Sequence, residues 1–248
     1  ALLGTTLPAK DLFLGNPYDV GVVGGFATDP AADVLRDVDC VAVFGACLSD
    51  FTTAERTLLR DATAIQVDIV PERLGAYYPV EIAVAGDAAE TARALLDALP
   101  VDGERRFRRP ETVARLARPL YEGPDETTAD GIDPRIVAAT LDELLPERRA
   151  IVVDTGRFSG APSRYVRTSG LGTFRFTGDF GAIGSALGPA LGAAVARPDL
   201  TTVLFVGDGG LMLALPDLET AARHAIPLVI VVMNDRAYGA ERHVLAAA

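Results

Sequence analysis

The chain has 248 residues, a formal net charge of −11 and an apolar fraction of 49%. That length accommodates one large domain or two modest ones, and the composition belongs to a soluble globular protein. The acidic balance excludes a nucleic-acid surface, which needs concentrated Lys and Arg, and no apolar run approaches the ~20 residues of a membrane helix.

In chain order, Asp29–Asp37 predicts a helix and Val38–Phe44 (VDCVAVF) a strand, followed by a second strand over Ala64–Val70 (AIQVDIV). Both strand segments are short, β-branched and almost unbroken in their apolar character, the pattern of strands buried in a parallel sheet. Asp87–Leu99 predicts a helix with Ala92, Leu95, Leu96 and Leu99 on one stripe. The two cysteines, Cys40 and Cys47, do not form a CxxC unit. They are expected as small buried residues in a reduced compartment rather than as a disulfide or zinc site. No signal peptide is visible, so cytoplasm is the expected location.

From Pro100 to about Gly131 the periodicity dissolves into Pro, Gly, Arg and Glu. The basic run Glu104–Arg109 (ERRFRR) within it reads as a solvated linker. The division expected is therefore a first α/β domain over residues 1–100, a linker over 101–131 and a second α/β domain over 132–248.

The second block opens with a predicted helix over Pro134–Leu145, with Pro in its first turn and Ile136, Val137, Leu141 and Leu144 on its apolar stripe. A strand over Ala150–Asp154 follows, then a Gly- and Ser-rich loop and a helix near Ala182–Ala196. Along that helix Ile183, Leu187, Leu191 and Val195 recur every fourth residue, and so do Gly184, Gly188 and Gly192. Glycine inside a helix costs ~1 kcal/mol against Ala, so three of them call for a close backbone or ligand. A strand over Thr201–Val206, a helix over Pro216–His224 and a strand over Pro227–Met233 complete a β-α-β-α-β order. Right-handed crossovers stack such an order as a doubly wound parallel sheet.

The chemistry is concentrated where two of these strands end. Val203–Gly210 (VLFVGDGG) and Leu228–Gly239 (LVIVVMNDRAYG) both close in acidic, glycine-flanked turns. In open α/β sheets the ligand lies beyond the carboxyl ends of the strands, so Asp208 and Asp235 are expected to converge. Two carboxylates with no Lys between them repel unless a cation sits there, and hard oxygen donors beside phosphate oxygens suit Mg²⁺. Glycines at 207, 209 and 210 leave backbone N–H groups accessible to a diphosphate. Either half alone is accounted for by an Asp-Gly turn or a helix cap; the pair is far more specific.

Gly207-Asp208-Gly209 followed by Asn234-Asp235 resembles the GDG…NN signature of thiamine-diphosphate enzymes, in particular the acetolactate synthase and pyruvate oxidase group. The resemblance extends through Gly178–Arg197, similar to the family's cofactor helix, and Val153–Tyr165, similar to the loop opening its diphosphate-binding domain. Gly21–Thr28, Val43–Thr53, Ile65–Pro71 and Val84–Asp87 are similar, in order, to the middle domain of acetolactate synthases. It implies two doubly wound parallel-sheet α/β domains: a middle domain incomplete at its start and a diphosphate-binding domain truncated at its end.

What the resemblance implies for the site is specific. Asp208 and Asp235 would ligate Mg²⁺ through their side chains and Ala237 through its carbonyl. Asp235 stands where the family usually has Asn, which keeps an oxygen donor and adds negative charge. Asn234 would steady the turn, and Gly207, Gly209, Gly210, Tyr238 and Gly239 would hold the diphosphate. Ile183 matches the bulky apolar residue beneath the thiazolium, although an ordinary core position fits its periodicity equally well. The Gly181 carbonyl would accept from the aminopyrimidine. FAD stays open as a second cofactor: Gly21, Gly24 and Asp68 favour it, whereas Cys47 and Phe51 stand where FAD-binding members often carry Arg.

The implied activity is decarboxylation of a small-molecule 2-oxo acid such as pyruvate, with transfer to a second carbonyl. The implied assembly is a homodimer or homotetramer with sites at subunit interfaces, without nucleic-acid or membrane partners. A decarboxylase or oxidase of another 2-oxo acid is the alternative within this resemblance. A non-catalytic nucleotide-binding or regulatory homologue is the alternative outside enzymes, and no GxGxxG follows a first strand to support it. The family's activating glutamate belongs to an N-terminal pyrimidine-binding domain, so the 248 residues alone are expected to be inactive.

Overall fold

The computed structural model describes residues 1–100, 105–178 and 180–247. Residues 101–104, where the expected linker and its basic run begin, and Asp179 lie outside the described residues. Two compact units result: Ala1–Thr6 with Gly15–Pro119, and Leu7–Leu14 with the chain from Leu120 onward.

The first unit begins with β1 (Leu3–Thr5) and β2 (Asp19–Val22), a parallel pair. Then come α1 (Asp29–Leu35), β3 (Cys40–Phe44), α2 (Asp50–Thr53), β4 (Thr63–Asp68), β5 (Ile82–Ala85) and α3 (Ala88–Ala98). Strands β3, β4 and β5 form a parallel sheet in that order. Pro30 occupies the first turn of α1, where a missing N–H costs nothing, and the helix buries Ala31, Val34 and Leu35. Ala31 and Leu35 share a core with Val20, Leu48, Leu58, Leu59, Ala62 and Ala64.

Four expectations change here. β3 is an edge strand with alternate residues exposed, so it is not buried, and both Cys40 and Cys47 are free and exposed rather than core residues. α3 forms with Asp87 as its N-cap, accepting from Ala89 and Glu90 N–H at 2.9 Å. Its apolar stripe is not covered by described residues, for Leu96 is 71% and Leu99 52% exposed. Within the expected linker a helix forms, α4 (Pro110–Leu116), whose Arg115 donates to Asp33 at 3.2 Å and Asp37 at 2.6 Å.

The second unit holds α5 (Pro134–Leu144), β6 (Arg149–Val153), α6 (Gly160–Tyr165), β7 (Phe174–Phe176) and α7 (Leu187–Ala196). It continues with β8 (Thr201–Gly207), α8 (Asp208–Leu213), α9 (Asp217–Arg223), β9 (Val229–Met233) and α10 (Gly239–Ala247). All four strands are parallel, in the order β7-β6-β8-β9. Every residue of β6 and the middle five of β8 are buried, as strands covered on both faces must be. α7 packs Leu187, Ala190 and Leu191 into a core with Val152, Leu204 and Val206. Each such leucine contributes roughly 1.5–3 kcal/mol of burial.

One helix start and one buried helix face are corrected. α7 starts at Leu187 rather than Ala182, because Gly181 and Gly184 adopt left-handed φ angles of 65° and 76° and hold residues 180–186 as a loop. Ile183 thus precedes the helix, and Val195, on the expected stripe, is 65% exposed. In α5 the buried positions are Ala138 and Asp142, while Leu144 is 74% exposed. Asp142 is drawn inward by hydrogen bonds from Arg149 Nη2 and from Arg167 N (2.8 Å) and Nε (2.7 Å). Arg149, equally buried, also donates to the carbonyls of Asp142, Leu145 and Arg167, so the buried pair is satisfied on both sides. The Leu7–Leu14 segment is anchored by Asp11, whose Oδ2 accepts from Thr168 N and Oγ1, both at 2.8 Å.

Asp133 caps α5, accepting from Arg135 N at 2.9 Å and Glu126 N at 3.1 Å, and pairs with Arg135 Nη2 at 2.6 Å. The Arg135 guanidinium holds its carboxyl down at about 2 despite the opposing effect of burial. A folded pKa below the ordinary ~3.9 gives stability that is complete above about pH 4 and lost as pH falls toward 2. Asp133→Asn is expected to cost about 1–2 kcal/mol at pH 7. In urea denaturation the gap from wild type should close between pH ~4 and ~2; a gap independent of pH contradicts the assignment.

Candidate functional site

β8 and β9 run in register from Val203↔Val229 to Gly207↔Met233. The residues immediately beyond, Asp208 and Asn234-Asp235, therefore leave the sheet side by side at its carboxyl rim. Asp208 is half-buried at the start of α8, and no side chain caps the preceding Gly207. The first-turn N–H groups of Asp208, Gly209 and Gly210 consequently lack a side-chain acceptor from that cap.

The segment after β9 is a tight turn built by its own side chains. Asn234 Oδ1 accepts from Arg236 N at 3.0 Å and Asp235 Oδ1 from Ala237 N at 3.1 Å, with Arg236 at φ 58°. Asn234 thus closes its own turn onto the Arg236 N–H. Asp235 spends one oxygen on the Ala237 N–H, while its other oxygen, Oδ2, lies where a side chain on Gly239 would stand. The exposed Tyr238 ring reaches across to α8: a Cβ on Gly209 would lie 3.0 Å from Tyr238 Cδ1. The two acidic turns are therefore in contact through Tyr238, which requires glycine at 209, while glycine at 239 makes room for Asp235 within its own turn.

A third segment reaches the same place from residues 180–186. Gly184 packs so closely on α8 that an added Cβ would sit 2.8 Å from the Gly210 carbonyl and 2.9 Å from Leu213 Cβ. Half-buried Ile183 and the left-handed Gly181 come with it. Gly188 and Gly192, in contrast, face open space among the described residues and take no part in this contact.

Three residues at the end of β6 also join the rim without having been singled out individually from sequence. Asp154 is fully buried and accepts from Gly184 N at 2.8 Å. Phe158 Cε1 would lie 3.3 Å from a Cβ on Gly207, and Arg157 Cβ 3.8 Å from one on Gly239. Arg157 has no ion-pair partner among the described residues. The signal available for them was the Asp154–Gly156 turn directly after a buried strand, but Asp-x-Gly turns are too common to single out.

The chemistry of the donor set fits a metal-bridged diphosphate. Asp208 and Asp235 follow adjacent strands at one rim, glycines let their turns approach closely, and Arg157 Cβ lies beside Gly239. No group of three or more His, Cys, Asp or Glu side chains converges among the described residues. Were Asp208 and Asp235 to hold a cation, it would complete its shell with carbonyl, water or phosphate oxygens, as Mg²⁺ characteristically does.

Residues 1–95 match the central domain of thiamine pyrophosphate enzymes and residues 154–247 the C-terminal TPP binding domain. The "Probable acetolactate synthase large subunit" of Methanocaldococcus jannaschii is 28% identical over 247 residues, covering 95% of this chain and 41% of that protein. Sulfoacetaldehyde acetyltransferase of Alcaligenes xylosoxydans xylosoxydans is 26% identical over 271 residues, 97% of this chain and 44% of that protein. 2-Hydroxyacyl-CoA lyase 2 of Danio rerio is 29% identical over 212 residues, 82% of this chain and 34% of that protein. The chain thus spans 34–44% of the length of these relatives.

Gly184→Ala tests the contact between the 180–186 loop and α8. A left-handed φ at a residue with a side chain costs about 1–2 kcal/mol, and the collision with the Gly210 carbonyl adds to it. The expected outcome is a loss of roughly 2 kcal/mol or more in chemical denaturation. A variant as stable as wild type contradicts the packing.

Proposed function

The chain belongs to the thiamine pyrophosphate enzyme family, and from that premise we propose that it binds thiamine diphosphate through Mg²⁺ and acts on 2-oxo acids. The reaction proposed is of acetolactate synthase type: decarboxylation of a substrate such as pyruvate and transfer of the remaining two-carbon unit to a second carbonyl. The observation carrying this reading is the β8–β9 register, with Gly207↔Met233 as its last pair, which sets both acidic turns at one rim. The similarity to a probable acetolactate synthase large subunit and to an acetyltransferase supports transfer over simple protonation.

Bound thiamine diphosphate supplies the carbon nucleophile and the electron sink for making or breaking a bond beside a carbonyl. The protein's own contribution is placement and electrostatics. Asp208 and the Asp235 side chain, with the Ala237 carbonyl, would hold Mg²⁺ against the diphosphate. The N–H groups of Gly209 and Gly210, and those of the first turn of α10 after Tyr238-Gly239, would donate to its oxygens. Arg157 would neutralise diphosphate charge that the metal leaves uncompensated. Ile183, on the loop ahead of α7, would shape the cofactor, and the Gly181 carbonyl would accept from its aminopyrimidine. Each of these contacts acts by fixing geometry before the chemistry.

Calorimetric titration of thiamine diphosphate into the purified protein, with and without Mg²⁺, tests the proposal. Binding should require Mg²⁺, and Asp208→Ala should weaken it by about tenfold or more, the loss of one charged metal contact. Asp235→Asn keeps an oxygen donor and should remain within a few fold of wild type. Magnesium-independent binding, or an Asp208→Ala variant that binds normally, would refute the metal site.

A further inference from the structure

Asp154 is the first residue beyond β6, and its side chain is sealed from solvent, with a relative exposure of 0%. In the order β7-β6-β8-β9 the chain reverses direction across the sheet between β6 and β8. Beyond the carboxyl ends of that strand pair is where open parallel sheets bind their ligands.

What Asp154 does there differs from the other acids at strand ends. Asp68 accepts from Val70 N at 2.8 Å and Asp235 from Ala237 N at 3.1 Å, so each shapes its own turn. Asp154 instead spends both oxygens on remote residues. Oδ2 accepts from the Gly184 N–H, 30 residues away, at 2.8 Å, and Oδ1 from Thr177 Oγ1 at 3.3 Å. Its backbone N–H donates to the Phe205 carbonyl in β8 at 2.9 Å. Oδ2 also fills the space that a Cβ on Gly210 would occupy.

One carboxylate therefore touches every segment that meets at the site except the turn after β9. A buried carboxylate without such partners costs several kcal/mol. Among the described residues its hydrogen-bond partners are a neutral amide and a hydroxyl, so no cation offsets that cost. Asp154 is thus an expensive residue at this location, and local turn formation does not account for it.

We propose, resting on the cofactor site proposed above, that Asp154 is a positioning residue for thiamine diphosphate. It holds the Gly184 amide while its Oδ2 packs against Gly210, and so sets the spacing between two cofactor-contacting segments, one carrying Gly181 and Ile183, the other Asp208, Gly209 and Gly210. It acts through those residues and touches no substrate atom itself.

The test is a thiamine diphosphate titration, in the presence of Mg²⁺, of wild type, Asp154→Ala and Asp154→Asn, with hydrogen exchange at the Gly184 amide in the cofactor-free proteins. Asp154→Ala should bind about tenfold to a hundredfold more weakly and exchange the Gly184 amide faster. Asp154→Asn should recover most of the affinity and the protection. Its amide oxygen can accept from Gly184, and its NH₂ can donate to Thr177 once that hydroxyl turns toward the Val153 carbonyl 3.4 Å away. Rescue by Asn separates positioning from a role that needs the charge. Should the alanine variant not fold, Asp154→Ser, which leaves a polar group and room for water, is expected to show the same loss. Normal affinity in Asp154→Ala or Asp154→Ser, or an Asn variant as weak as Ala, overturns the inference alone. A wild-type protein that binds no thiamine diphosphate overturns the proposed function and this inference together.

Discussion

The second unit is organised by the burial of β6 and β8 on both faces. Two adjacent parallel strands with no exposed side chains can offer polar atoms only at their ends, so the chemistry is pushed to the carboxyl rim. Asp154 ends one strand and Asp208 follows the other, and the in-register neighbour β9 delivers Asn234 and Asp235 beside them. Covering these strands, α7 supplies Leu187, Ala190 and Leu191 to the same core, which fixes where the loop ahead of it must pass.

That rim is closely packed around its glycines. Gly184 against Gly210, Gly209 against Tyr238 and Gly239 against Asp235 are each approaches that a methyl group would block. The first brings main chain against main chain; in the other two a glycine makes room for the Tyr238 ring and the Asp235 carboxylate.

Elsewhere in the unit, polar groups are buried for architecture. Asp142, Arg149 and Arg167 link α5 to β6 and to the segment after α6, with the backbone carbonyls around Arg149 absorbing its remaining donors. Asp133 with Arg135 anchors the start of α5, and Asp11 with Thr168 anchors the Leu7–Leu14 segment. Each network is satisfied, and that completeness is what makes a buried ion tolerable. The first unit relies more on apolar contact between α1 and the residues around β4, and it presents a wide apolar surface through Leu96, Leu99, Ile69 and Phe51.

Sequence by itself determined the α/β class, the parallel sheets, the positions of the main strands and the two acidic glycine turns. These rest on local rules: β-branched runs make strands, and Asp and Gly make turns, whatever surrounds them. Tertiary structure alone decided which faces are covered. β3 has the composition of a buried strand and is exposed because it lies at an edge; Leu144 has the periodicity of a core residue and yields its place to Asp142, whose arginine partners stand 7 and 25 residues further along the chain. The start of α7 shifted for a similar reason, since helical spacing at Ile183 is overridden by left-handed glycines pressed onto α8. Asp154 is the clearest case: its partners are 23 and 30 residues away, and only the folded sheet brings them within a hydrogen bond of its carboxylate. Burial and long-range pairing are properties of neighbours in space, and a one-dimensional pattern records only neighbours along the chain.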